Sequence, residues 1–121
     1  MSRTDAERLE DILTALERCV RFREHLESDD PTVSDMALDA ILRNLAVAGE
    51  AVRTLPDHVR GQFTSTSWHS IAGLRNIVIH EYFRIDNKII FDVVDNHVAR
   101  LVDEIRRRRS GTDEAEVAAD E

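Results

Sequence analysis

The chain has 121 residues, of which 42% are hydrophobic, 33% charged and 5% aromatic, with only 4 Gly and 2 Pro. This length fits one domain with a single core, and the scarcity of Gly, Pro and aromatic residues favours helices over a turn-rich β fold. The net charge of −8 weighs against a surface built to bind nucleic acid. No apolar run approaches the ~18 residues of a membrane span.

The single cysteine, Cys19, excludes an internal disulfide and fits a reducing compartment. Met1–Glu7 has no apolar signal core and is too acidic for a transit peptide. We therefore expect a cytoplasmic protein that makes no contact with a membrane.

The first predicted helix begins at a capping box, Thr4-x-x-Glu7, in which a hydroxyl and a carboxylate can satisfy free amide donors. Cys19 is interpreted as a small core residue of this helix rather than a nucleophile. The turn Ser28-Asp29-Asp30-Pro31 ends the helical pattern, which reaches about Glu27. The apolar positions recur at steps of three and four: Leu9, Ile12, Leu13, Leu16, Val20 and Leu26.

A second helix is predicted from Thr32 or Ser34 to about Leu55, and a short third one over 56–62. The buried stripe of the second helix is predicted to be Ile41, Leu45, Ala48, Val52 and Leu55. Glu50 follows a glycine in the narrow second half of this helix. Two interpretations of Glu50 stay open: an ordinary surface carboxylate, or a group that supports a cleft.

The fourth predicted helix starts near Trp68 and is apolar nearly all round, so it should be the most enclosed. Its pattern alone would also suit a buried strand, but its length and a possible cap at Ser67 favour a helix. A last helix follows Asp86-Asn87 and is marked by Ile90, Val94, Val98, Leu101 and Ile105. The sequence thus predicts an all-α, up-and-down bundle of four long helices and one short helix over residues 1–109.

The C-terminal part of the chain divides into a basic run and an acidic tail. Arg106-Arg107-Arg108-Arg109 is interpreted as a solvated helix end in preference to an RNA-binding patch. Residues 110–121 hold five carboxylates and no basic residue, and we expect this segment to be disordered.

Four polar side chains surround the apolar run 77–79: Arg75, Asn76, His80 and Tyr82. Such groups are costly to bury without partners. On a regular helix Asn76 and His80 share a face, whereas Arg75 and His80 point about 140° apart. The helix could end or distort near His80, or two copies of the segment could meet across a dimer two-fold. We favour the homodimer.

An arginine fork fits phosphate oxygens, and a histidine can pass protons near neutral pH. Together they suit RNA cleavage without a metal or a cofactor. A metal site is a poorer fit, since His58, His69 and His80 lack ligand spacing, and no Gly-rich phosphate loop is present. By spacing alone, a plain structural bundle with an internally paired Arg and His remains the simpler alternative.

The motif Arg75-Asn76-x-x-x-His80-x-Tyr82 resembles the Arg-x4-His-x-Tyr motif of the HepT-like toxins in the HEPN ribonuclease superfamily. The similarity covers about residues 4–106. Its flanking blocks are Gly49-Glu50-Ala51, Trp68-x-x-Ile71-Ala72-Gly73-Leu74 and Ile85-Asp86.

The resemblance implies a homodimeric HEPN bundle that acts as a metal-independent endoribonuclease toxin, with the motifs of both subunits lining an RNA cleft. It implies a toxin–antitoxin pair in which an MntA-like nucleotidyltransferase neutralises the toxin by AMPylation of the motif tyrosine. By position, Arg75 and His80 would be catalytic, Asn76 would position the substrate and Tyr82 would be modified. The alternative is a non-catalytic HEPN module that binds a nucleotidyltransferase or a nucleotide, which the acidic net charge favours.

Overall fold

A computed structural model of the protein describes residues 3–62, 68–73 and 87–108. No strand occurs in these three ranges, which confirms the predicted all-α class. The helices are α1 (Asp5–Phe22), α2 (Pro31–Arg53), the short α3 (Asp57–Arg60), α4 (68–73) and α5 (87–108). The first three predicted helices and the last one therefore have counterparts in order along the chain. Of the fourth predicted helix, the structure describes residues 68–73, and they are helical.

The start of α1 is capped as the sequence predicts, with one difference. The Thr4 hydroxyl accepts a hydrogen bond from the Glu7 amide at 3.1 Å. The difference concerns the Glu7 carboxylate. It accepts a hydrogen bond from the Thr4 hydroxyl at 3.0 Å, instead of from a backbone amide, and so holds the capping side chain in place. After Phe22 the helix tightens into a 3-10 turn, Arg23–Glu27, and the helical run ends at the predicted residue.

The proline between the first two helices starts α2 rather than merely ending α1. Asp30 is the N-cap, and its carboxylate accepts from the Thr32 amide at 3.0 Å. Pro31 occupies the first helical position, where its fixed φ suits the helix and its missing amide hydrogen costs nothing. The predicted start at Thr32 or Ser34 was therefore late by one residue or more.

Helices α1 and α2 pack antiparallel. At one end Arg8 of α1 donates to the Thr54 carbonyl, just after α2, at 3.1 Å. At the other end the Cys19 thiol lies 3.6 Å from the Ile41 carbonyl. These two contacts fix the register of the helix pair, because they join the start of α1 to the end of α2 and the end of α1 to the first half of α2.

The core lies between α1, α2, α4 and α5. All five residues of the predicted α2 stripe are buried. Val20 of α1 is instead 42% exposed, because Cys19 takes the inward position after Leu16 and the next residue turns about 100° away from the core. The most enclosed side chains include Ile12, Leu16, Cys19, Ile41, Leu45, Ala48, Val52, Ile71, Ile90, Val94, Val98 and Ile105.

Helix α5 contains a π-helical segment, Val93–Val98, between its α-helical parts Asn87–Asp92 and 99–108. It is held to the end of α1 by Arg23. The guanidinium of Arg23 donates twice to the Asp95 carboxylate, at 2.9 Å each, and lies 4.5 Å from the centre of the Phe91 ring. The hydrogen bonds that Arg23 donates to Asp95 raise the pKa of the Arg23 guanidinium, which keeps this contact charged at every physiological pH.

Candidate functional site

The four motif residues, Arg75, Asn76, His80 and Tyr82, lie outside the residues that the structure describes. Their catalytic, positioning and modification roles therefore stay predictions. Whether the side chains of Arg75 and His80 converge also stays open. The domain boundary at residue 109 and the acidic tail also lie outside the described ranges.

Helix α4 immediately precedes the motif and is firmly attached to the bundle. Ile71 is fully buried in the core. The indole Nε1 of Trp68 donates to the Arg60 carbonyl at the end of α3, at 3.0 Å. Trp68 itself is half-buried against the core. These two anchors fix the chain at 68–73, only two residues before Arg75 in sequence.

Glu50 lies on the outer face of α2. Its side chain is 56% exposed, and its carboxylate lies 3.9 Å from the guanidinium of Arg53. It also lines a groove between α1 and α2. Glu50 is thus a surface carboxylate that borders a depression in the protein surface, and its role in supporting the RNA cleft stays a prediction.

The groove has a volume of about 670 Å³ and runs along the outer face of the α1–α2 pair. Ala15 of α1 and Ala51 of α2 line it, and their short side chains leave room between the two backbones. Long polar side chains border the same space, together with Val47. We call this space the α1–α2 groove; its other lining residues are Arg3, Arg8, Asp11, Thr14, Arg18, Arg43, Asn44, Glu50 and Thr54.

The charge of the α1–α2 groove is opposite to that of the whole chain. Four arginines and two carboxylates line it, a net charge of +2 in a protein of net charge −8. Arg3 is occupied by a two-pronged contact with Asp11, at 2.6 and 3.1 Å. Arg18 and Arg43 are exposed, and neither has an ion-pair or hydrogen-bond partner in the described part of the chain.

Arg18 and Arg43 were not among the residues that the sequence predicts for a functional site. The signal that could have found them is the helical face Arg8, Asp11, Ala15 and Arg18, which repeats at three- and four-residue steps beside the apolar stripe, about 100° around the helix axis. To predict that Arg18 lies near Arg43, one must also know how α1 and α2 are aligned against each other. Local sequence patterns do not contain this information.

The arginine run at the end of α5 is different. Arg106 lies 3.0 Å from the Glu17 carboxylate of α1, and Arg108 lies 3.1 Å from Glu104. Arg107 also contacts Glu104, at 3.6 Å. These three arginines are paired with carboxylates on an exposed helix end, which agrees with the interpretation preferred from the sequence.

Cys19 is fully buried, and burial raises the pKa of its thiol to about 12. The thiol is therefore neutral and unreactive, which confirms its interpretation as a core residue. Within residues 3–62, 68–73 and 87–108, no group of three or more His, Cys, Asp and Glu side chains is arranged to hold a metal ion. No helix in the same ranges has the length and hydropathy needed to cross a membrane.

Comparison with known proteins places this bundle in a class. The family model described as "Ribonuclease HepT-like" matches residues 12–108. The match begins within α1, runs to the end of α5 and includes all four motif residues. The all-α bundle is thus of the HEPN type. The chain belongs to the HepT-like ribonuclease family.

Individual relatives agree with the family match. "Putative RNase MJ0127" and "Putative RNase MJ1380" of Methanocaldococcus jannaschii are 34% and 31% identical to the chain over 97 and 106 residues. The first alignment covers 80% of this chain and 80% of the relative. The second covers 87% of this chain and 97% of the relative. "Probable ribonuclease HepT" of Thermococcus cleftensis is 26% identical over 109 residues, covering 90% of this chain and 99% of the relative. No solved structure gives a significant match.

Proposed function

We propose that the protein is a metal-independent endoribonuclease that acts as the toxin of a toxin–antitoxin pair. The observation that carries this proposal is the family match over residues 12–108, within which the chain retains Arg75, His80 and Tyr82 at the motif positions. The relatives' names as RNases support the same activity.

The proposed reaction is an attack of a ribose 2′-oxygen on the adjacent phosphorus. A new 2′-O–P bond forms as the P–O5′ bond breaks, which leaves a 2′,3′-cyclic phosphate and a 5′-hydroxyl. His80 takes the 2′-hydroxyl proton or delivers a proton to the leaving oxygen, and Arg75 stabilises the negative charge that builds on the phosphoryl oxygens. Asn76 orients the phosphate or the imidazole, and Glu50 supports the cleft from α2.

We further propose that the active species is a homodimer, in which the motifs of two subunits face one RNA cleft. Pooling the side chains across a two-fold axis brings together groups that a single regular helix points about 140° apart. Measuring the molecular mass in solution tests this step, and a monomer that cleaves RNA at full rate would contradict it.

The proposed partner is an MntA-like nucleotidyltransferase. It would join the α-phosphorus of ATP to the Tyr82 phenol oxygen and release pyrophosphate. The adenylyl group adds bulk and negative charge two residues from His80, where it would repel an RNA phosphate. Co-expression followed by mass spectrometry should show one added adenylyl group on Tyr82, and Tyr82→Phe should abolish the addition. An unmodified Tyr82 in an inactivated complex would contradict this route of control.

The cleavage proposal is tested with purified protein and RNA. Removing a general acid–base group costs about 10²–10⁴-fold in rate, and removing one charge-stabilising donor costs about 10²–10³-fold. We therefore expect His80→Ala and Arg75→Ala to lose cleavage by at least about a hundredfold. His97→Ala is the matched control, because His97 is an exposed histidine of α5 whose side chain is 66% accessible. Equal loss in the control, or full activity in the motif variants, would contradict the assigned roles.

The second candidate is a non-catalytic module that binds the nucleotidyltransferase or a nucleotide. The net charge of −8 favours it, because a protein that binds RNA usually carries an excess of basic residues. Expression of the chain alone separates the two candidates. Growth arrest that His80→Ala relieves supports the ribonuclease, and normal growth with the wild-type chain supports the binding module.

A further inference from the structure

Helices α1 and α2 bury one side of their shared surface in the core and leave the other as the α1–α2 groove. The buried apolar residues of the described ranges lie on another side of the same two helices, so they do not occupy the groove. The charge and the shape of the groove, together with its polar groups that have no partner among the described residues, indicate what it binds.

The two arginines without a partner in residues 3–62, 68–73 or 87–108 lie at one end of the groove. In the antiparallel register set by the Arg8–Thr54 and Cys19–Ile41 contacts, Arg18 of α1 lies opposite the α2 turn that carries Arg43 and Asn44. Guanidinium groups without carboxylate partners bind phosphate oxygens with two parallel hydrogen bonds. In an otherwise acidic protein, this end of the groove is where an anionic chain would be attracted.

Asn44 provides a second polar contact beside the arginines. It is only 8% exposed, the sole polar residue in the buried set of the described chain, and it lines the groove. Its Nδ2 donates to the Ala40 carbonyl at 2.7 Å, and its Oδ1 has no partner in residues 3–62, 68–73 or 87–108. A buried acceptor without a partner is costly, so a donor supplied by a ligand would satisfy it. A ribose hydroxyl is such a donor.

At the other end of the groove, Arg8 donates to the Thr54 carbonyl and lies 3.7 Å from the Asp5 carboxylate. Arg8 lies ten residues before Arg18 on α1, which is about 15 Å along the helix axis. At the ~3.4 Å rise per nucleotide of a stacked strand, this length spans roughly four nucleotides. Between the two ends, Val47 is 43% exposed and offers an apolar contact to sugars and bases.

We propose that the α1–α2 groove binds the backbone of an RNA strand, with Arg18 and Arg43 on phosphates and Asn44 on a ribose. The inference rests on the proposed ribonuclease function, since RNA is its substrate, and it adds a binding surface that the Arg-x4-His motif does not include. Asp11 does not oppose the strand, because Arg3 neutralises it through two contacts.

The test uses the full chain in a His80→Ala background, which removes the proposed proton-transfer group and leaves the groove as in the wild type. It measures the affinity for an unmodified RNA oligonucleotide, which keeps its 2′-hydroxyls, over a series of salt concentrations. Each phosphate contact on a single strand contributes about 0.7 to the slope of log affinity against log salt. The double variant Arg18→Ala, Arg43→Ala should therefore lower the slope by about 1.4 and weaken binding at least about tenfold. Charge reversal, Arg18→Glu with Arg43→Glu, should weaken binding further.

The matched control is Arg106→Ala with Arg107→Ala, which removes the same charge from arginines that are paired with carboxylates. It should leave the slope near the value of the His80→Ala chain. The inference is overturned if the control loses as much slope as the groove variant, if the groove variant keeps the slope of the His80→Ala chain, or if the His80→Ala chain does not bind the oligonucleotide. A changed oligomeric state of the groove variant would place the groove in a subunit interface and would also overturn it.

The failure of this inference is distinguishable from that of the ribonuclease proposal. If the wild-type chain cleaves RNA but the groove variant binds the oligonucleotide like the His80→Ala chain, only the groove assignment is wrong. If the oligonucleotide binds through the groove but the wild-type chain never cleaves RNA, the groove assignment stands and the catalytic proposal is wrong.

Discussion

The two faces of the α1–α2 pair are made by the same helices and carry opposite chemistry. The inner face is a set of apolar side chains that are almost inaccessible to solvent. The outer face is the α1–α2 groove, with small residues at its base and arginines along its edges. The comparison shows that helical periodicity determines which residues enter the core, whereas the tertiary register determines which surface residues meet.

The largest expected effect is on the inner face. Ile41→Ala removes a fully buried side chain of α2, and such a change destabilises a protein by about 2–5 kcal/mol. Val47→Ala is the matched change on the outer face of the same helix, and we expect it to stay within about 0.5 kcal/mol. Denaturant unfolding of both variants measures the difference, and equal losses would contradict the division into two faces.

A pH-dependent effect follows from Cys19 on the inner face. Burial raises the pKa of this thiol to about 12, so the folded protein retains the thiol proton at pH values where the unfolded chain releases it. Its contribution to stability is complete below pH ~9 and is lost as pH rises from ~9 towards 12, by up to about 1.4 kcal/mol per pH unit. Cys19→Ala should lack this component. Parallel pH profiles of the free energy of unfolding for wild type and variant would contradict the assigned pKa.

A smaller effect is expected at the start of α2, which both faces share. Asp30→Ala removes the N-cap contact to the Thr32 amide and should destabilise the protein by about 1 kcal/mol. Asp29→Ala is the control, since it removes the same charge from the adjacent exposed position. Thermal unfolding should separate the two variants. If both lower the melting temperature equally, charge rather than capping is responsible.

The smallest effect is expected from the exposed pair of Arg106 and Glu17, which joins α5 to α1. Exposed ion pairs contribute about 0.2–1 kcal/mol in double-mutant cycles and weaken as salt is added. A cycle of Arg106→Ala and Glu17→Ala at low and high salt measures the coupling. A coupling well above this range would show that the arginine run stabilises the fold more than its exposure implies.

Much of the fold could be predicted from the sequence, because local patterns report local structure. The buried stripe of α2 and the cap at Thr4 follow from spacing and side-chain chemistry, and the structure confirms both. The errors have equally local causes. The apolar spacing predicts Val20 in the core, whereas Cys19 takes the inward position, and the sequence predicts that α2 starts at Thr32 or Ser34, whereas it begins at Pro31.

The candidate site was less accessible to sequence reasoning. Spacing alone could not decide whether Arg75 and His80 converge, and only the resemblance to a family gave them roles. Arg18 and Arg43 lie 25 residues apart in sequence and meet because two helices pack antiparallel. The run Arg106–Arg109 is the most basic segment of the sequence, yet carboxylates pair with three of its four arginines.

Metal-independent RNA cleavage is best tested by the chemical ends of the RNA products formed in the presence of a metal chelator. We expect fragments that end in a 2′,3′-cyclic phosphate and begin with a 5′-hydroxyl, and we expect His80→Ala to abolish them. Fragments with 5′-phosphate ends, cleavage that the chelator abolishes, or RNA that stays intact with the wild-type protein would contradict the proposed reaction.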